Sequence, residues 1–397
     1  MRSGNDAALI LTGATGFLGG HLLAAFVERG DRVIALGRPS GGQSLNERIR
    51  SLLSWFALDD RRGQVETVEA DFRMPRLGLE QKRYDALCAR VGPIIHCASD
   101  TRFSERKRDE ITEANIHGLQ HMLDLTAHSR APFFHYVSTA YVAGKTSGCC
   151  PEELGDGVDF TNVYEETKAH AEHKVAARCG LEKIPYTIIR PSIVYGDSRS
   201  GRSTRFNALY HPVRSLAQIR EIYLNDIQYH GGQKARACGI SLQHGEVLLL
   251  PLRVFVTRRG HLNLIPIDYF VAAVQSILEE KEAGAVYHLT TDAPTSIDEL
   301  AAYCESYLKI EGIEIIEGAP DGIPRTPPEA LFQKFINPYL PYMADSRSFD
   351  RRRTNRATAG LAPPDFRYDI FARCMDYAMK VNWGTDAGPG LAEKAAR

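Results

Sequence analysis

A tyrosine and a lysine stand four residues apart, Tyr164 and Lys168, in a segment whose pattern predicts a helix over residues 162–178. Residues at this spacing lie on one face of a helix. A tyrosine alone, with a pKa of about 10, exchanges protons poorly at neutral pH. A lysine one turn away favours the tyrosinate electrostatically and lowers that pKa. We therefore predict that Tyr164 is a proton donor for a reacting carbonyl group.

Thr139 is the second candidate catalytic residue, because it follows the apolar segment 133–138, which has the pattern of a buried strand. A hydroxyl at this strand end supplies a second hydrogen bond to the same carbonyl oxygen, and two such donors form an oxyanion site. Tyr141 and Lys145 share the Tyr-x-x-x-Lys spacing, but Gly144 and its surroundings predict a loop there. The helical pair is therefore preferred over the loop pair.

Other chemistries have little support in this sequence. His96 and His135 lie inside apolar strands and are expected to be hydrogen-bonded core residues, whereas His170 faces away from Lys168. No cluster of His, Asp and Glu has the spacing of metal ligands, so no metal site is predicted. Ser138 and Thr139 lack the Gly-x-Ser-x-Gly elbow of a hydrolase.

A glycine turn near the N-terminus indicates what accompanies this chemistry. An apolar strand from Leu9 ends at Gly13, Gly16 and Gly19, and an apolar helical pattern follows to Gly30. Strand, glycine turn and helix together predict a dinucleotide site, in which the backbone approaches a pyrophosphate at the helix N-terminus. The predicted cofactor-binding residues of the turn are Gly13, Thr15, Gly16, Phe17, Leu18 and Gly19.

Arg38, just past the second predicted strand, favours NADPH, because an arginine at this place accommodates a 2′-phosphate. NADH remains the alternative. Strands alternate with helices along the chain and predict an α/β fold, a Rossmann-type doubly wound parallel sheet. We assign residues 7–200 to the nucleotide-binding domain and 201–384 to a smaller, interleaved substrate-binding portion with segments that return to the sheet. Residues 385–397 are expected to be a disordered tail.

The composition excludes several classes of protein. The net charge of −1 over 397 residues gives no electrostatic basis for binding nucleic acid. The eight cysteines are scattered and include no Cys-x-x-Cys, so a disulfide scaffold is not expected. There is no signal-peptide pattern and no apolar run of membrane-spanning length, so a cytoplasmic location is predicted.

Several blocks of this sequence resemble one family. Thr12-Gly-Ala-Thr-Gly-Phe-Leu-Gly19, Ser138-Thr-Ala140 and Tyr164-x-x-x-Lys168 resemble the extended short-chain dehydrogenase/reductases. Further blocks resemble the thioester reductase and fatty acyl-CoA reductase branch, which is male sterility-like: Ala70-Asp-Phe-Arg-Met-Pro-Arg-Leu-Gly-Leu79, Asn162-Val-Tyr-Glu-Glu-Thr-Lys168, Arg190-Pro-Ser-Ile-Val-Tyr-Gly-Asp197 and Asn263-Leu-Ile-Pro-Ile-Asp268. The resemblance covers residues 8–300.

This resemblance implies an NADPH-dependent oxidoreductase of lipid or secondary metabolism, whose substrate is an acyl thioester on CoA or on an acyl carrier protein. The product is then an aldehyde or an alcohol. The resemblance also implies that Lys168 positions the cofactor ribose and that Asn115 has a structural and proton-relay role. It assigns further residues to the cofactor: Asp71 and Phe72 at the adenine, Ala98 and Ser99 along it, and Pro191, Ser192 and Ile193 near the nicotinamide.

Three alternatives remain open at this point, because residues 213–260 depart from the branch pattern. The first is a ketone or aldehyde reductase, or an alcohol dehydrogenase, acting on a secondary metabolite or a sterol-like substrate. The second is a nucleotide-sugar epimerase or dehydratase. The third is a nucleotide-sensing protein without catalytic activity.

Overall fold

The computed structural model describes residues 7–155, 159–318, 322 and 324–384. The tail expected at 385–397 lies outside these residues. The strands, in chain order, are β1 (Ala8–Thr12), β2 (Val33–Gly37), β3 (Val65–Glu69), β4 (Val91–His96), β5 (Phe134–Val137), β6 (Cys149–Cys150), β7 (Tyr186–Pro191), β8 (Ile193–Tyr195), β9 (Ser241–Leu242), β10 (Leu248–Val256), β11 (His261–Leu262), β12 (Leu264–Pro266), β13 (Ala285–Leu289), β14 (Thr295–Ser296), β15 (Ile310–Glu317) and β16 (Ser348–Phe349).

The helices enclose these strands. In chain order they are α1 (Phe17–Arg29), α2 (Leu45–Trp55), α3 (Gln81–Cys88), α4 (Arg108–Thr112), α5 (Gly118–Ser129), α6 (Val163–Glu182), α7 (Tyr210–Tyr229), α8 (Gln233–Ala237), α9 (Ile267–Glu280), α10 (Ile297–Leu308), α11 (Pro327–Ile336), α12 (Leu340–Met343), α13 (Arg352–Ala357) and α14 (Tyr368–Lys380). None of the helices that the structure describes has the length and apolar character needed to span a membrane.

Seven parallel strands form the central sheet in the order β3-β2-β1-β4-β5-β7-β13. The strand order reverses between β1 and β4, and such a reversal opens a crevice at the carboxyl ends of the strands where nucleotides bind in doubly wound folds. The predicted Rossmann-type parallel sheet is confirmed. The predicted glycine turn follows β1 and therefore lies at the reversal.

Both faces of the central sheet are covered, as the near-continuous apolar strands require. Successive residues of a strand point to opposite faces, and Ile10 and Leu11 accordingly lie in two different cores. The core that contains Leu11 also takes residues from α1, α2 and α9, whereas the core of Ile10 takes them from α3, α5 and α6. The strand ends are thereby fixed between two helical layers.

The second half of the chain builds a third core beside the sheet. Here β10 pairs with β15 in parallel and with β9 in antiparallel orientation, and α7, α10, α11 and α14 pack around them. From the same half, β13 returns to the central sheet beside β7, and β12 pairs with β8.

Some element boundaries differ from the sequence predictions. The sequence over 205–224 has the character of a helix, and the structure instead has one from Tyr210 to Tyr229. The apolar spacing from Thr112 to Ala127 also predicts a helix, which in the structure is interrupted by a π-helical turn over Glu113–His117. Helix α11 was not predicted, because the Pro- and Gly-rich composition of 317–328 indicates a loop where it begins. Strand β15, which precedes that segment, was not predicted either. The sequence also predicts a last helix over 368–380, and α14 has those bounds in the structure.

Candidate functional site

The glycine turn after β1 has a geometry that only small residues allow. Gly13 has a φ of +72°, and a Cβ there would lie 2.8 Å from the Ala98 nitrogen. A Cβ on Gly19 would lie 2.3 Å from the Gly13 carbonyl oxygen. Because real Cβ atoms do not approach backbone this closely, both positions require glycine. The turn thus brings the start of α1 directly against the end of β1.

The start of α1 is suited to an anion. Gly16 is its N-cap residue, and among the described residues no side chain caps it. The first turn, Phe17 to Gly20, contains no acidic side chain. Unpaired N–H groups and the helix dipole therefore favour a negative group such as a pyrophosphate at this point. The residues predicted to bind it, including Thr15 and Leu18, all lie in this turn.

Thr12 fastens the end of β4 to the glycine turn. Its Oγ1 lies 3.0 Å from Nδ1 of His96 and accepts hydrogen bonds from the backbone nitrogens of Cys97 (3.2 Å) and Ala98 (3.1 Å). His96 is buried and hydrogen-bonded, as expected of a core histidine. Ala98 consequently lies beside the turn and Ser99 follows it in the chain, and their contact with the cofactor stays a prediction.

Asn115 connects the exit of β4 to α6. Its Oδ1 accepts hydrogen bonds from Ser99 Oγ (3.0 Å) and from the Asp100 backbone nitrogen (2.7 Å). Its Nδ2 donates to the Asp100 carbonyl (2.9 Å) and to Thr167 Oγ1 (3.0 Å). Asn115 lies in the π-helical turn, a conformation that is frequent at functional sites. All four hydrogen-bonding capacities of this amide are used to align two segments of the site.

Helix α6 presents Tyr164 and Lys168 as predicted. It begins after Asn162, whose side chain accepts a hydrogen bond from the Glu165 backbone nitrogen. Burial is the largest influence on Tyr164 and raises its pKa above the usual value, while a hydrogen bond from Thr139 acts in the opposite direction. Tyr164 therefore keeps its proton at neutral pH, which suits a proton donor.

Lys168 is fully buried beneath the site. Its Nζ donates hydrogen bonds to the Val137 carbonyl (2.6 Å) and the Tyr136 hydroxyl (3.2 Å), and lies 4.5 Å from the centre of the Tyr136 ring. Burial lowers its pKa to about 8, and the nearby Glu172 opposes that effect. These hydrogen bonds run to β5, and Lys168 is not among the groups that shift the pKa of Tyr164. The predicted lowering of the Tyr164 pKa by Lys168 is therefore not found in this structure.

Thr139 stands at the carboxyl end of β5, opposite α6. Its Oγ1 donates to the Pro191 carbonyl (3.5 Å) and accepts from the Tyr141 backbone nitrogen (3.4 Å). The competing pair is separated: Tyr141 lies in a short 3-10 turn, and Lys145 forms an ion pair with Asp159 across 3.0 Å. The structure thus gives the helical geometry to Tyr164 and Lys168 alone of the two Tyr-x-x-x-Lys pairs.

The remaining predicted cofactor residues lie at neighbouring strand ends. Arg38 is exposed just after β2, and Asp71 and Phe72 follow β3. Asp71 is paired with Arg73 across 2.6 Å, which lowers the pKa of its carboxyl group. The ring of Phe72 meets that of His96 edge-on at 6.3 Å. These side chains border the crevice on its β2–β3 side.

Pro191, Ser192 and Ile193 border the crevice on the other side, where β7 passes into β8. The hydroxyl of Ser192 is buried and has no hydrogen-bond partner among the described residues. Ser138, next to Thr139, has a buried hydroxyl in the same condition. Unpaired buried hydroxyls at two adjacent strand ends fit a site that receives the polar groups of a cofactor or substrate.

Comparison with protein families decides the classification. The model of the family described as male sterility protein, an NAD-binding domain, matches residues 11–274. The chain belongs to the male sterility protein family. This is a family of nicotinamide-dependent oxidoreductases within the extended short-chain dehydrogenase/reductases. The family that the sequence motifs indicated is therefore confirmed.

Two curated relatives are similar to parts of this chain. A linear gramicidin synthase of Brevibacillus parabrevis is 25% identical over 309 residues, which are 75% of this chain and 5% of that protein. Fatty acyl-CoA reductase 1 of Mus musculus is 28% identical over 226 residues, which are 47% of this chain and 43% of that protein. The chain therefore spans less than half the length of either relative.

Two solved structures share the fold of this male sterility family member. The terminal R domain of the myxalamid PKS-NRPS pathway superposes with a TM-score of 0.75 at 21% identity, over 96% of this chain and 92% of that one. A thiolation-reductase di-domain from an archaeal non-ribosomal peptide synthetase gives 0.68 at 17% identity, over 96% and 76%. At these identities the comparison shows the fold.

Sequence reasoning missed three residues around Tyr164. Phe103, in the loop after β4, has its ring centre 6.1 Å from that of Tyr164. Tyr342, in α12, packs on Phe103 at 5.8 Å. Cys97 is close enough to influence Tyr164, and burial raises its own pKa to about 11, so the thiol stays neutral. An aromatic residue shortly after a strand end was the available signal for Phe103; Tyr342 had none.

An apolar cavity adjoins these aromatic residues in the second half of this male sterility family member. It begins at Ile193 and Tyr342 and extends between α7, β10, α10 and β15. Its apolar lining includes Val213, Leu216, Val254, Leu300, Ala301, Ile313, Ile315 and Phe332. A cavity with few polar groups suits a hydrocarbon ligand. Within the described part of the chain, no group of three His, Cys, Asp or Glu side chains has a metal-binding arrangement.

Proposed function

We propose that this protein is an NADPH-dependent reductase of acyl thioesters. The observation that carries the proposal is the arrangement of Thr139 and Tyr164 as neighbours at the strand ends, near buried Lys168 and an apolar cavity. Two hydroxyl donors can stabilise the oxygen of a carbonyl group while it is reduced. An apolar cavity can bind the hydrocarbon chain of an acyl group. We also propose that residues 7–200 bind the dinucleotide and residues 201–384 the substrate.

NADPH supplies the hydride when it is bound. The glycine turn and the start of α1 hold the pyrophosphate, Asp71 and Phe72 border the adenine, and Arg38 binds the 2′-phosphate. Lys168 holds the ribose. To do so, its ammonium group must give up or weaken its hydrogen bond to the Val137 carbonyl. Ser192 offers an unpaired hydroxyl for the nicotinamide end.

Thr139 and Tyr164 act on the carbonyl oxygen of the substrate. Both hydroxyls donate to this oxygen as negative charge develops on it, and Tyr164 transfers its proton there. The product of this step is a hemithioacetal. Its hydroxyl proton returns to the Tyr164 phenolate as the carbon–sulfur bond breaks, and the departing thiolate takes a proton from water, which leaves an aldehyde and a free thiol. Reduction of the aldehyde to an alcohol consumes hydride from a second NADPH and a further proton.

The apolar cavity receives the acyl chain, which begins beside Ile193 and runs away from the nucleotide. The thiol part of the substrate must leave the crevice on its open side. Either CoA or the phosphopantetheine arm of a carrier protein meets this requirement. The relatives and solved structures from peptide synthetases favour the carrier-bound form.

The test is an assay of NADPH oxidation against a panel of acyl-CoAs, carrier-bound acyl groups, free aldehydes and ketones, with detection of released thiol. Acyl thioesters are expected to release thiol in proportion to NADPH consumed. Reduction of ketones without any thioester turnover would instead support the secondary-metabolite alternative.

Arg38 provides the test of cofactor choice. We expect Arg38→Ser to lower kcat/KM for NADPH about tenfold or more while the value for NADH changes little, because a charge-assisted contact to the 2′-phosphate is lost. Steady-state kinetics with both cofactors measure this. An unchanged NADPH preference would contradict the role of Arg38.

A further inference from the structure

Tyr342 joins the second half of the chain to the start of the helix that carries Tyr164. Its hydroxyl donates a hydrogen bond to Glu165 Oε1 across 2.5 Å and accepts one from Asn162 Nδ2 across 2.8 Å. Asn162 is the N-cap residue of α6, and Glu165 is the residue after Tyr164. One side chain from α12 therefore contacts both residues that define the first turn of the helix.

Glu165 is unusual for an acidic residue because it is fully buried. Its Oε2 accepts a hydrogen bond from the Thr161 backbone nitrogen at 3.0 Å, and its own backbone nitrogen donates to Asn162 Oδ1 at 3.1 Å. A buried carboxyl group is costly unless its oxygens are hydrogen-bonded. Tyr342 supplies the partner of Oε1, and loss of this partner would leave the carboxyl group incompletely satisfied.

The ring of Tyr342 has a second set of contacts. It lies edge-on to Tyr141 with the ring centres 4.9 Å apart and packs on Phe103, which in turn packs on Tyr164. The same ring lines the apolar cavity. Tyr342 is thus a wall of the cavity on one side and part of the surroundings of Tyr164 on the other.

We propose that Tyr342 is a positioning residue for the reduction. Its ring lines the acyl cavity and packs on Phe103, which packs on Tyr164. Its hydroxyl, through Glu165, holds the first turn of α6 so that Tyr164 meets the substrate oxygen. This inference rests on the proposed function. It assigns a role in the chemistry to a residue 177 positions beyond Glu165 in the chain.

The groups around Glu165 make the proposal visible in a pH profile. Tyr342 and Arg347 face it from the second half of the chain, Tyr141 from the turn after β5, and Tyr164 from its own helix. Burial raises the pKa of Glu165, and the hydrogen bond from Tyr342 lowers it. Removal of that hydroxyl raises the pKa further, so the carboxyl group becomes protonated at higher pH.

The first experiment compares Tyr342→Phe with Tyr307→Phe, using NADPH and a long-chain acyl thioester. Tyr307 is a matched control because its hydroxyl donates to the carboxylate of Asp376 at 2.8 Å on the outside of the same half of the chain. In Tyr342→Phe we expect kcat to fall about fivefold or more, because Tyr164, the proton donor, is no longer held in place. KM should stay nearly unchanged, because the ring that lines the cavity remains. Its loss of activity at acidic pH should begin at higher pH, and Tyr307→Phe should match wild type.

Glu165→Gln is the second variant. It removes the ionisable group while it preserves an oxygen acceptor for Tyr342. We expect the Glu165-dependent loss of activity at acidic pH to disappear, and the double variant with Tyr342→Phe to lose less than the product of the two single effects. Thermal unfolding and NADPH titration establish that each variant is folded and binds cofactor.

Wild-type kcat and an unchanged pH profile in Tyr342→Phe would overturn the proposal. So would a Tyr342→Phe variant whose only change is a lower melting temperature, because that result indicates a purely structural role. If Tyr342→Phe does not fold, a wild-type pH profile in Glu165→Gln overturns it equally. A wild-type protein that reduces no acyl thioester would contradict the proposed function itself, which distinguishes the two failures.

Discussion

Tyr164 is kept protonated by its surroundings, and that property defines its part in the reaction. Burial raises its pKa, so the phenol form prevails at neutral pH, and the neighbouring Thr139 hydroxyl opposes this shift to a smaller extent. A protonated Tyr164 suits the proposed reduction, in which the tyrosine gives up a proton.

We expect Tyr164→Phe to lower kcat by about 100-fold or more, because general acid catalysis contributes on that scale. The ring and its packing on Phe103 remain, so NADPH affinity should change little. Turnover with an acyl thioester and fluorescence titration with NADPH measure the two quantities. Near-normal turnover in the variant would contradict the assignment.

Lys168 predicts how activity depends on pH. Its pKa, lowered to about 8 by burial, means that the ammonium group loses its proton as the pH rises through that value. The proposed contact to the ribose needs the protonated form, so kcat/KM for NADPH should fall above about pH 8.

Lys168→Arg is the matched control for this pH dependence, because a guanidinium group keeps its charge throughout the range. The fall in kcat/KM should move to higher pH in this variant, even where the absolute rate is reduced. An identical alkaline limb in wild type and variant would assign the titration to another group.

At the scale of elements, the turn between β1 and α1 depends on the absence of side chains at specified positions. A Cβ atom added at Gly13 or at Gly19 would clash with neighbouring backbone atoms. Backbone atoms cannot give way as the end of a flexible side chain can, so the turn either keeps its glycines or changes shape. The three glycines and the strand–helix context were sufficient to predict this turn from the sequence.

We expect Gly19→Ala to lower the free energy of unfolding by about 2 kcal/mol and to weaken NADPH binding, because its Cβ would overlap the Gly13 carbonyl. Gly180→Ala is the control: that helical position in α6 has nothing within 4 Å of the added Cβ. The control should gain about 0.5–1 kcal/mol from reduced chain entropy. Denaturant unfolding and NADPH titration provide the measurements, and equal stability of the two variants would contradict the steric account.

The elements of the second half were predicted less well, and the reasons are local. Strand β15 contains isoleucines interspersed with glutamates. Gly312 and the high charge of the strand obscured this pattern in the sequence. Helix α11 begins after Thr326, whose backbone nitrogen donates to Glu329 Oε2 at 2.8 Å, and the neighbouring prolines concealed this helix start in the sequence. By contrast, Ser296 followed by the acidic Asp298 indicates a helix start in the sequence, and α10 begins there with a capping box formed by Ser296 and Glu299.

At the scale of the whole molecule, the site is completed by contacts between distant parts of the chain. The central sheet and the Tyr164–Lys168 pair depend on local patterns, and both could be predicted from the sequence. Tyr342 and the apolar cavity depend on how the second half packs against the first. Apolar residues of that half show only that they are buried, and their spacing does not indicate which of them surround an open space.

The cavity predicts a dependence on acyl chain length. We expect Ala301→Phe, which places a ring in the cavity, to lower kcat/KM about tenfold or more for long acyl chains and to leave short ones nearly unaffected. Ala302→Phe is the control, because the adjacent residue of α10 is exposed. Kinetics across acyl-CoAs of increasing length measure both, and parallel losses at every length would contradict a chain-binding cavity.

The central claim is hydride transfer to the carbonyl carbon of a thioester, and NADPH carrying deuterium at the transferred position tests it directly. Mass spectrometry of the product should find deuterium at the former carbonyl carbon, with one thiol released for each thioester consumed, and Tyr164→Phe should form neither product at an appreciable rate. Deuterium that enters only ketone or aldehyde substrates, with no thiol released from any thioester, would contradict the account.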